Sequence, residues 1–216
     1  MKKRHSLKDK RILITSGPTW VAIDDVRVIA NRSTGRLGRA LCEELLKERA
    51  RITLLEGPVA SPFRDKKVKV RNFKFYDELQ RLLNRELAKK YDVIIHAAAV
   101  SDFRPQRPVK GKIASDNKRW ALKLVATKKL VNLLRAKAKK AVLVGFKLEP
   151  RLSRPHAAVL TRSLFHVARC DLVVANSIGR GGYKGFIVNK AGHVTAGSTS
   201  RERLSRRLLK EIRKLL

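Results

Sequence analysis

The sequence has few of the residues that cross-link a chain or anchor it in a membrane. It contains only two cysteines, Cys42 and Cys170, and no apolar run long enough to span a bilayer. Two cysteines cannot build the framework of a disulfide-rich domain, and both lie in apolar patterns, so we expect buried, reduced thiols. The basic segment Met1–His5 is not followed by an apolar stretch, so we expect no secretory signal. These features predict a cytoplasmic protein with no membrane association.

Acidic residues are also scarce. The 216 residues include 18 Asp and Glu against 51 Lys and Arg, which gives a net charge of +33. Such a charge attracts polyanions, and one interpretation is a basic, non-enzymatic nucleic-acid-binding protein. We favour a solvated basic surface, because the cations are spread along the whole chain and form no arm, zinc module or aromatic RNA-binding motif. Weak, non-specific nucleic-acid binding at low salt is still predicted.

Several common catalytic motifs are missing. We find no Gly-x-Gly-x-x-Gly fingerprint, no Walker loop, no Ser-His-Asp set, no paired catalytic carboxylates and no Cys/His metal spacing. An NAD(P)-binding Rossmann reductase remains an alternative, because Glu56 ends a strand where such enzymes hold a ribose. Against it, no tyrosine is followed four residues later by a lysine.

Short apolar runs alternate with amphipathic helical patterns, which is typical of an α/β fold. We predict one Rossmann-like, three-layer domain over residues 1–216, with a largely parallel central sheet. The predicted strands are Arg11–Thr15, Arg51–Leu55, Val68–Arg71, Asp92–His96, Ala141–Phe146 and Leu172–Ala175. The predicted helices are Leu37–Arg49, Tyr76–Lys89, Lys129–Lys137, Ala157–Ala168 and Arg201–Leu215. We also predict a C-terminal hairpin that turns at Ala191-Gly192, just before the last, amphipathic helix.

Two segments depart from this alternation. Residues 1–10 are predicted to be a basic N-terminal tail. Phe103–Arg119 has two prolines and many charges but no apolar period, so it is predicted to be a mobile lid.

The most informative stretch begins with the apolar run Ile12–Thr15, which leads into Ser-Gly-Pro-Thr (Ser16–Thr19). It ends with Asn-Arg-Ser-Thr-Gly-Arg-Leu-Gly (Asn31–Gly38) before a helical pattern, with Ser33 or Thr34 as the expected N-cap. A strand followed by a Gly- and Ser/Thr-rich loop at a helix start favours a phosphate or carboxylate ligand.

These residues resemble a known family. Ser16–Thr19, Ile23–Arg27 and Ile29–Gly38 are similar to phosphopantothenate–cysteine ligase, also called phosphopantothenoylcysteine synthetase. Further matches follow in the family's order: Ala97–Arg104, Lys112-Ile113, Val144–Phe146 and Asp171–Asn176.

The resemblance implies a ligase that joins 4′-phosphopantothenate to L-cysteine through an acyl-nucleotide in coenzyme A biosynthesis. It implies CTP in preference to ATP as co-substrate, Mg²⁺, and a homodimer for which the hairpin near Gly185–Thr195 is a candidate contact. It covers the ligase module and not the flavin-dependent decarboxylase domain often fused ahead of it, so we expect ligation without decarboxylation.

The resemblance also implies roles for particular residues. Asn31 and Lys112 are the expected catalytic residues, and no metal ligand can be named. The expected phosphopantothenate-binding residues are Asn31, Ser33, Thr34 and Gly35. The expected nucleotide-binding residues are Gly17, Ala98, Asp102, Lys112, Lys128 and Phe146. His96 is expected to pack near the site rather than to act as a base.

Overall fold

The computed structural model describes residues 6–114, 116, 119–179 and 181–216. Its centre is an eight-stranded sheet with the strand order 12-11-10-9-6-1-4-5. The strands are β1 (Arg11–Ser16), β2 (Trp20–Ala22), β3 (Val28–Ala30), β4 (Arg51–Glu56), β5 (Val68–Asn72), β6 (Val93–His96), β7 (Phe103–Pro105), β8 (Leu124–Ala126), β9 (Val142–Leu148), β10 (Leu172–Gly179), β11 (Gly182–Asn189) and β12 (Val194–Ser198).

The strands from β5 to β10 in this order run parallel, while β11 and β12 are antiparallel additions at one edge. The chain moves from β1 to β4 on one side and later to β6 on the other. The carboxyl ends of β1 and β6 therefore flank the point where the strand order reverses, which is where ligands bind in open α/β sheets.

Helices cover both faces of the sheet and complete the predicted three layers. The helices are α1 (Arg36–Lys47), α2 (Tyr76–Glu86), α3 (Leu130–Lys137), α4 (Arg154–His166) and α5 (Arg201–Arg213). One core joins α1 and α5 to inward residues of the sheet such as Ile12 and Ile14. The other joins α2 and α3 to Leu13 and Ile94, because successive strand residues point to opposite faces.

The fold class predicted from the sequence is confirmed, and each predicted strand and helix is present with small shifts at its ends. Helix α4 begins earlier than predicted, at Arg154, because the Ser153 side chain accepts the N–H of His156 and Pro155 fits the first helical turn. Strand β9 runs on beyond Phe146 to Leu148, so Phe146 does not mark a strand end as predicted.

The C-terminal hairpin and helix are present as predicted. Strands β11 and β12 pair across the turn at Ala191-Gly192, and Gly192 adopts the left-handed conformation that such a turn needs. Helix α5 buries Leu204, Leu208 and Ile212 against the core that it shares with α1.

Two small antiparallel sheets lie beside the main one and were not predicted. Strands β2 and β3, which have three residues each, form a hairpin, and β7 pairs with β8. Strand β7 lies inside the segment Phe103–Arg119, so this part of the predicted lid is paired backbone. Ser115, Asn117 and Lys118 of that segment lie outside the described residues, and its mobility stays a prediction.

The described part of the predicted N-terminal tail is packed on the domain. Leu7 is fully buried in the core with α1, and the backbone N–H of Asp9 donates to the carbonyl of Arg49. Residues 6–10 are therefore part of the domain, because the apolar side chain of Leu7 packs in its core. Residues 1–5 lie outside the described part of the chain.

Candidate active site

The loop between β3 and α1 brings the predicted anion-binding residues to the start of a helix. Gly35 is the N-cap of α1, with a left-handed φ of 69° and no capping side chain. The prediction that Ser33 or Thr34 caps the helix is wrong, because Gly35 itself occupies the N-cap position. Within the described residues, the Ser33 and Thr34 hydroxyls have no hydrogen-bond partner, so both can donate to a ligand.

The end of β1 packs directly against this helix start. A Cβ on Gly38 would lie 2.1 Å from Ser16 Oγ, and that hydroxyl donates to the carbonyl of Gly35 at 3.3 Å. A side chain at position 38 would therefore separate the helix from the strand. This close approach holds the loop at the carboxyl end of the sheet.

The end of β6 forms a second wall of the site. His96 Nδ1 and Thr15 Oγ1 are 2.8 Å apart, and Thr15 Oγ1 also accepts the N–H of Ala98 at 3.2 Å. Burial lowers the pKa of His96 to about 4, so the imidazole is neutral at physiological pH. The Ala98 N–H is thus used inside the protein.

Asn31 joins these two walls. Its side-chain amide donates to the carbonyl of Val100 at 3.0 Å and lies 3.4 Å from that of Ala99. The amide is exposed, so a ligand can compete for the same donor. Asn31 therefore stands where the anion loop meets the segment that follows β6.

The next wall comes from the start of α3. Asp102 forms an exposed ion pair with Lys129 at 2.5 Å, and Thr127 donates to the carbonyl of Ser101 at 2.6 Å. The neighbouring Lys128 is held by its backbone, since its carbonyl accepts the Tyr76 hydroxyl at 2.7 Å. This bond uses only the backbone carbonyl of Lys128, so it does not restrain the lysine side chain.

These walls enclose a cavity of about 800 Å³ at the carboxyl ends of β1, β6, β9 and β10. Most of the predicted site residues line it together: Asn31, Ser33, Thr34, Gly35, Ala98, Asp102, Lys128 and Phe146. Phe146 lines the cavity while it is half-buried and packs on the core, and its expected role in nucleotide binding stays a prediction.

Two predicted site residues do not line the cavity. Gly17 has a left-handed φ of 80° and lies against the backbone of Gly57, so it shapes the turn after β1. Lys112 is exposed on a segment that is bonded to the turn between β2 and β3. Their expected roles in binding stay predictions.

The cavity lining is strongly cationic, and most of the cations were missed by sequence reasoning. Of the described residues that line it, one carries a carboxylate, Asp102. The cations are Arg32, Arg36, Lys128, Lys129, Lys147 and Arg201. Arg32 and Arg36 lie inside the anion-loop motif, so their position was a usable signal. Arg201 and Lys147 come from elements distant in sequence. Because Lys and Arg are abundant throughout the chain, nothing in the sequence distinguishes these two from the others.

The residue that favoured a nicotinamide enzyme is used elsewhere. Glu56 is buried at the end of β4, and its two carboxylate oxygens accept the N–H of Phe63 at 3.2 and 3.0 Å. Burial raises the pKa of Glu56, with the Phe63 N–H and Arg39 opposing that effect. The Glu56 carboxylate thus binds the backbone of the loop that follows β4, and this bond takes the place of the expected contact with a ribose.

Among the described residues no group of three or more His, Cys, Asp and Glu side chains could hold a metal ion. Over the same part of the chain, none of the helices has the length and apolar character needed to cross a bilayer.

Comparisons with known proteins identify the family of this chain. The family model for the DNA/pantothenate metabolism flavoprotein C-terminal domain matches residues 7–216. The coenzyme A biosynthesis bifunctional protein CoaBC of Thermococcus kodakarensis is 36% identical over 217 residues, which cover 98% of this chain and 53% of that protein. The chain therefore spans about half the length of the curated relatives it matches.

Solved structures give the same result for the fold. The DNA/pantothenate metabolism flavoprotein from Streptococcus pneumoniae superposes with a TM-score of 0.84 at 26% identity, over 96% of this chain and 100% of that one. The C-terminal domain of a coenzyme A biosynthesis bifunctional protein CoaBC gives a TM-score of 0.79 at 26% identity, over 98% and 97% of the two chains. The family match over nearly the whole sequence confirms the resemblance seen in the motifs, and this chain belongs to the DNA/pantothenate metabolism flavoprotein C-terminal domain family.

Proposed function

We propose that this chain is a phosphopantothenate–cysteine ligase of coenzyme A biosynthesis. The observation that carries the proposal is the cationic cavity: six Lys and Arg residues and one carboxylate line it together with the loop Asn31–Gly35 at a helix start. A triphosphate and a phosphorylated acid together bring many negative charges, which suits this lining. The related proteins are named for the same pathway.

The proposed reaction has two steps. The carboxylate oxygen of 4′-phosphopantothenate attacks the α-phosphorus of a nucleoside triphosphate, the bond to pyrophosphate breaks, and an acyl-nucleotide forms. The amine of L-cysteine then attacks the acyl carbon, the bond to the nucleotide phosphate breaks, and the amine proton passes to solvent. The products are phosphopantothenoylcysteine, pyrophosphate and a nucleoside monophosphate.

The phosphopantothenate end is assigned to the anion loop. Ser33 and Thr34 offer hydroxyl donors that capping does not consume, and Gly35 starts a helix whose dipole favours an anion. Asn31 is assigned to the acyl centre, because its exposed amide can donate to an oxygen as negative charge develops.

The nucleotide is assigned to the walls formed by β6, β9 and α3. Phe146 offers a face on which a base can stack, and the carbonyl of Ala98 remains available to it, whereas the Ala98 N–H is already bonded to Thr15. Lys128 supplies charge for the phosphates, with Lys112 expected to do so from outside the cavity. We propose CTP in preference to ATP from the family resemblance.

The lining residues fit Mg²⁺ that arrives as part of a metal–nucleotide complex. Asp102 is the single carboxylate among the described lining residues, and it is paired with Lys129. Magnesium commonly keeps several waters and takes most of its other ligands from substrate phosphates, which fits this arrangement. When bound, it would neutralise phosphate charge, and Asp102 could accept a hydrogen bond from one of its waters.

The proposal is tested by product formation. The protein is mixed with 4′-phosphopantothenate, L-cysteine, Mg²⁺ and either CTP or ATP, and phosphopantothenoylcysteine is measured by mass spectrometry. Asn31→Ala is expected to lose about a hundredfold in rate, the range for removing a donor to a developing oxyanion. Asn84→Ala, which changes a surface asparagine bonded to Lys137, is the matched control and should keep the wild-type rate.

A further inference from the structure

The segment that carries Lys112 is bonded on both sides of that residue to the turn between β2 and β3. Asp24 Oδ2 accepts the N–H of Ile113 at 3.1 Å, and Asp25 Oδ2 accepts the N–H of Gly111 at 2.7 Å. The two carboxylates thus bind the residues directly before and after Lys112. Its backbone is fixed while its side chain is exposed.

Further bonds make the connection reciprocal. Arg27 pairs with Asp24 Oδ2 at 2.8 Å and donates to the carbonyl of Ile113 at 3.2 Å. The backbone N–H of Asp25 donates to the carbonyl of Gly111 at 3.2 Å. Donors and acceptors therefore run in both directions between the two segments, as they do in a short ladder.

The position of Asp24 argues that the contact is more than a turn motif. Its side chain is fully buried, and Oδ1 alone accepts the N–H groups of Val26 and Arg27 within the turn. Oδ2 is shared between Arg27 of the same turn and the N–H of Ile113 in the distant segment. Since a buried carboxylate is stable only when its oxygens are bonded, the distant segment supplies part of the pairing that keeps Asp24 buried.

Backbone hydrogen bonds and the ion pair with Arg27 keep the Asp24 carboxylate ionised. Burial alone would raise the pKa of Asp24, but the N–H groups of Ile113, Val26 and Arg27, with the Arg27 guanidinium, outweigh burial and lower it to about 2. The acceptors at Oδ1 and Oδ2 are therefore present throughout the physiological range.

The same turn is connected to the cavity by a very short path. Strand β3 starts one residue after Arg27 and leads directly into Asn31, which lines the cavity. A segment fixed to the turn is thereby fixed relative to the β2–β3 hairpin and the anion loop that follows it.

We propose that Asp24, Asp25 and Arg27 form a clamp that positions Lys112 for the ligation reaction. They are positioning residues, since none of them lines the cavity, and they act through the lysine between their two bonded partners. This inference rests on the proposed function in one respect only, namely that Lys112 takes part in the reaction.

The first test uses Asp25→Ala, because Asp25 is exposed and its removal should leave the fold intact. Loss of a hydrogen bond to a charged acceptor is expected to lower kcat/KM about tenfold. In a Lys112→Ala background, the same change should cost less than about twofold, because the residue through which the clamp acts is gone. Asp65→Ala is the matched control: Asp65 is another exposed aspartate, which accepts the N–H of Lys67 at 2.8 Å.

Amide hydrogen exchange gives a second readout that does not need activity. Asp25→Ala should lose protection at Gly111, and Asp24→Asn at Ile113, while Asp65→Ala should leave both amides unchanged. Unchanged exchange in Asp25→Ala, unchanged kcat/KM, or losses that multiply in the double variant would each overturn the clamp. Failure of the wild-type protein to form product would instead refute the proposed function, and the exchange result would still decide whether the clamp exists.

Discussion

At the residue scale, the site depends on positions where no side chain can be accommodated. Gly38 lets the start of α1 approach the end of β1, since a Cβ there would lie 2.1 Å from Ser16 Oγ. Ser16 is itself buried, so it has little room to move away. The position of the anion loop thus depends on the close contact between Gly38 and Ser16, which leaves no space for a side chain.

Gly38→Ala should therefore destabilise the protein by roughly 1–3 kcal/mol, the range for overpacking a well-packed site. Urea unfolding of the variant and the wild type measures this difference. Gly179→Ala is the control, because a Cβ at Gly179 meets nothing within 4 Å in the described structure. Equal midpoints for Gly38→Ala and the wild type would contradict the packing argument.

His96 gives a prediction about pH. Burial lowers its pKa to about 4, below the value of about 6.5 expected in the unfolded chain. Between these two values the unfolded state binds the proton more readily, so stability should fall as the pH drops from about 6.5 towards 4.

Stability measured against pH for the wild type and for His96→Gln checks this sign. The variant should lack this part of the decline, and the imidazole signals of wild-type His96 should not titrate above pH 5 by NMR. Titration near pH 6.5 in the folded protein would show that the ring is solvated, contrary to this account.

At the element scale, the sequence predicted the parts of the fold that rest on long apolar patterns. Strands such as β1 and β6 are continuous apolar runs buried on both faces, and α5 repeats apolar residues at helical spacing. Burial of apolar side chains stabilises these elements, and the spacing of apolar residues in the sequence shows which side chains will be buried.

The elements that escaped prediction are those whose partners lie far away in sequence. Strands β2, β3, β7 and β8 have three residues each, too few to show a period. Asp24 bonds Ile113 across 89 positions, and no local pattern announces that contact. The N-cap of α1 was misassigned for a related reason, because Ser33 and Thr34 are good capping residues but Gly35 can take a left-handed φ.

For the candidate site, the motif residues from Asn31 to Gly35 were predictable as a group, since they are consecutive and follow a strand. The cations contributed by Lys147 and Arg201 were not, because in a chain with 51 Lys and Arg a single cation carries no signal. Only the fold shows which of them meet.

The docking of helix α5 on the core can be tested by truncating one of its buried leucines. Leu208 is 1% exposed and packs in the core shared with α1. Leu208→Ala should destabilise the protein by about 2–5 kcal/mol, the range for truncating a buried leucine. A cost of less than about 0.5 kcal/mol in urea unfolding would show that α5 is not docked as described.

At the scale of the whole molecule, the charge of +33 is spread over the surface, with a cationic cavity as one part of it. Cations spread over an open surface bind nucleic acid without sequence preference, and salt weakens such binding steeply. We therefore predict weak binding to a duplex DNA oligonucleotide at low salt that is lost near physiological salt.

Fluorescence anisotropy over a salt series measures this binding. Two duplexes of the same length and different sequence should bind alike. Nanomolar binding that survives physiological salt, or a clear preference between the duplexes, would favour the nucleic-acid-binding interpretation of the charge.

The homodimer also belongs to this scale and stays a prediction. The hairpin of β11 and β12 forms one edge of the main sheet, and the carbonyls of Val194 and Gly197 on β12 accept bonds from Arg154 and Arg207. A contact through this hairpin would have to include or displace those arginines. Sedimentation at working concentration gives the mass, and a monomer would refute the expected assembly.

The proposed ligase activity is best tested by the appearance of phosphopantothenoylcysteine and a nucleoside monophosphate from 4′-phosphopantothenate, L-cysteine, Mg²⁺ and CTP. We expect both products in equal amounts, more rapidly with CTP than with ATP, and their loss in Asn31→Ala but not in Asn84→Ala. No product with either nucleotide, from a protein shown to be folded, would contradict the assignment of this cavity to the ligation.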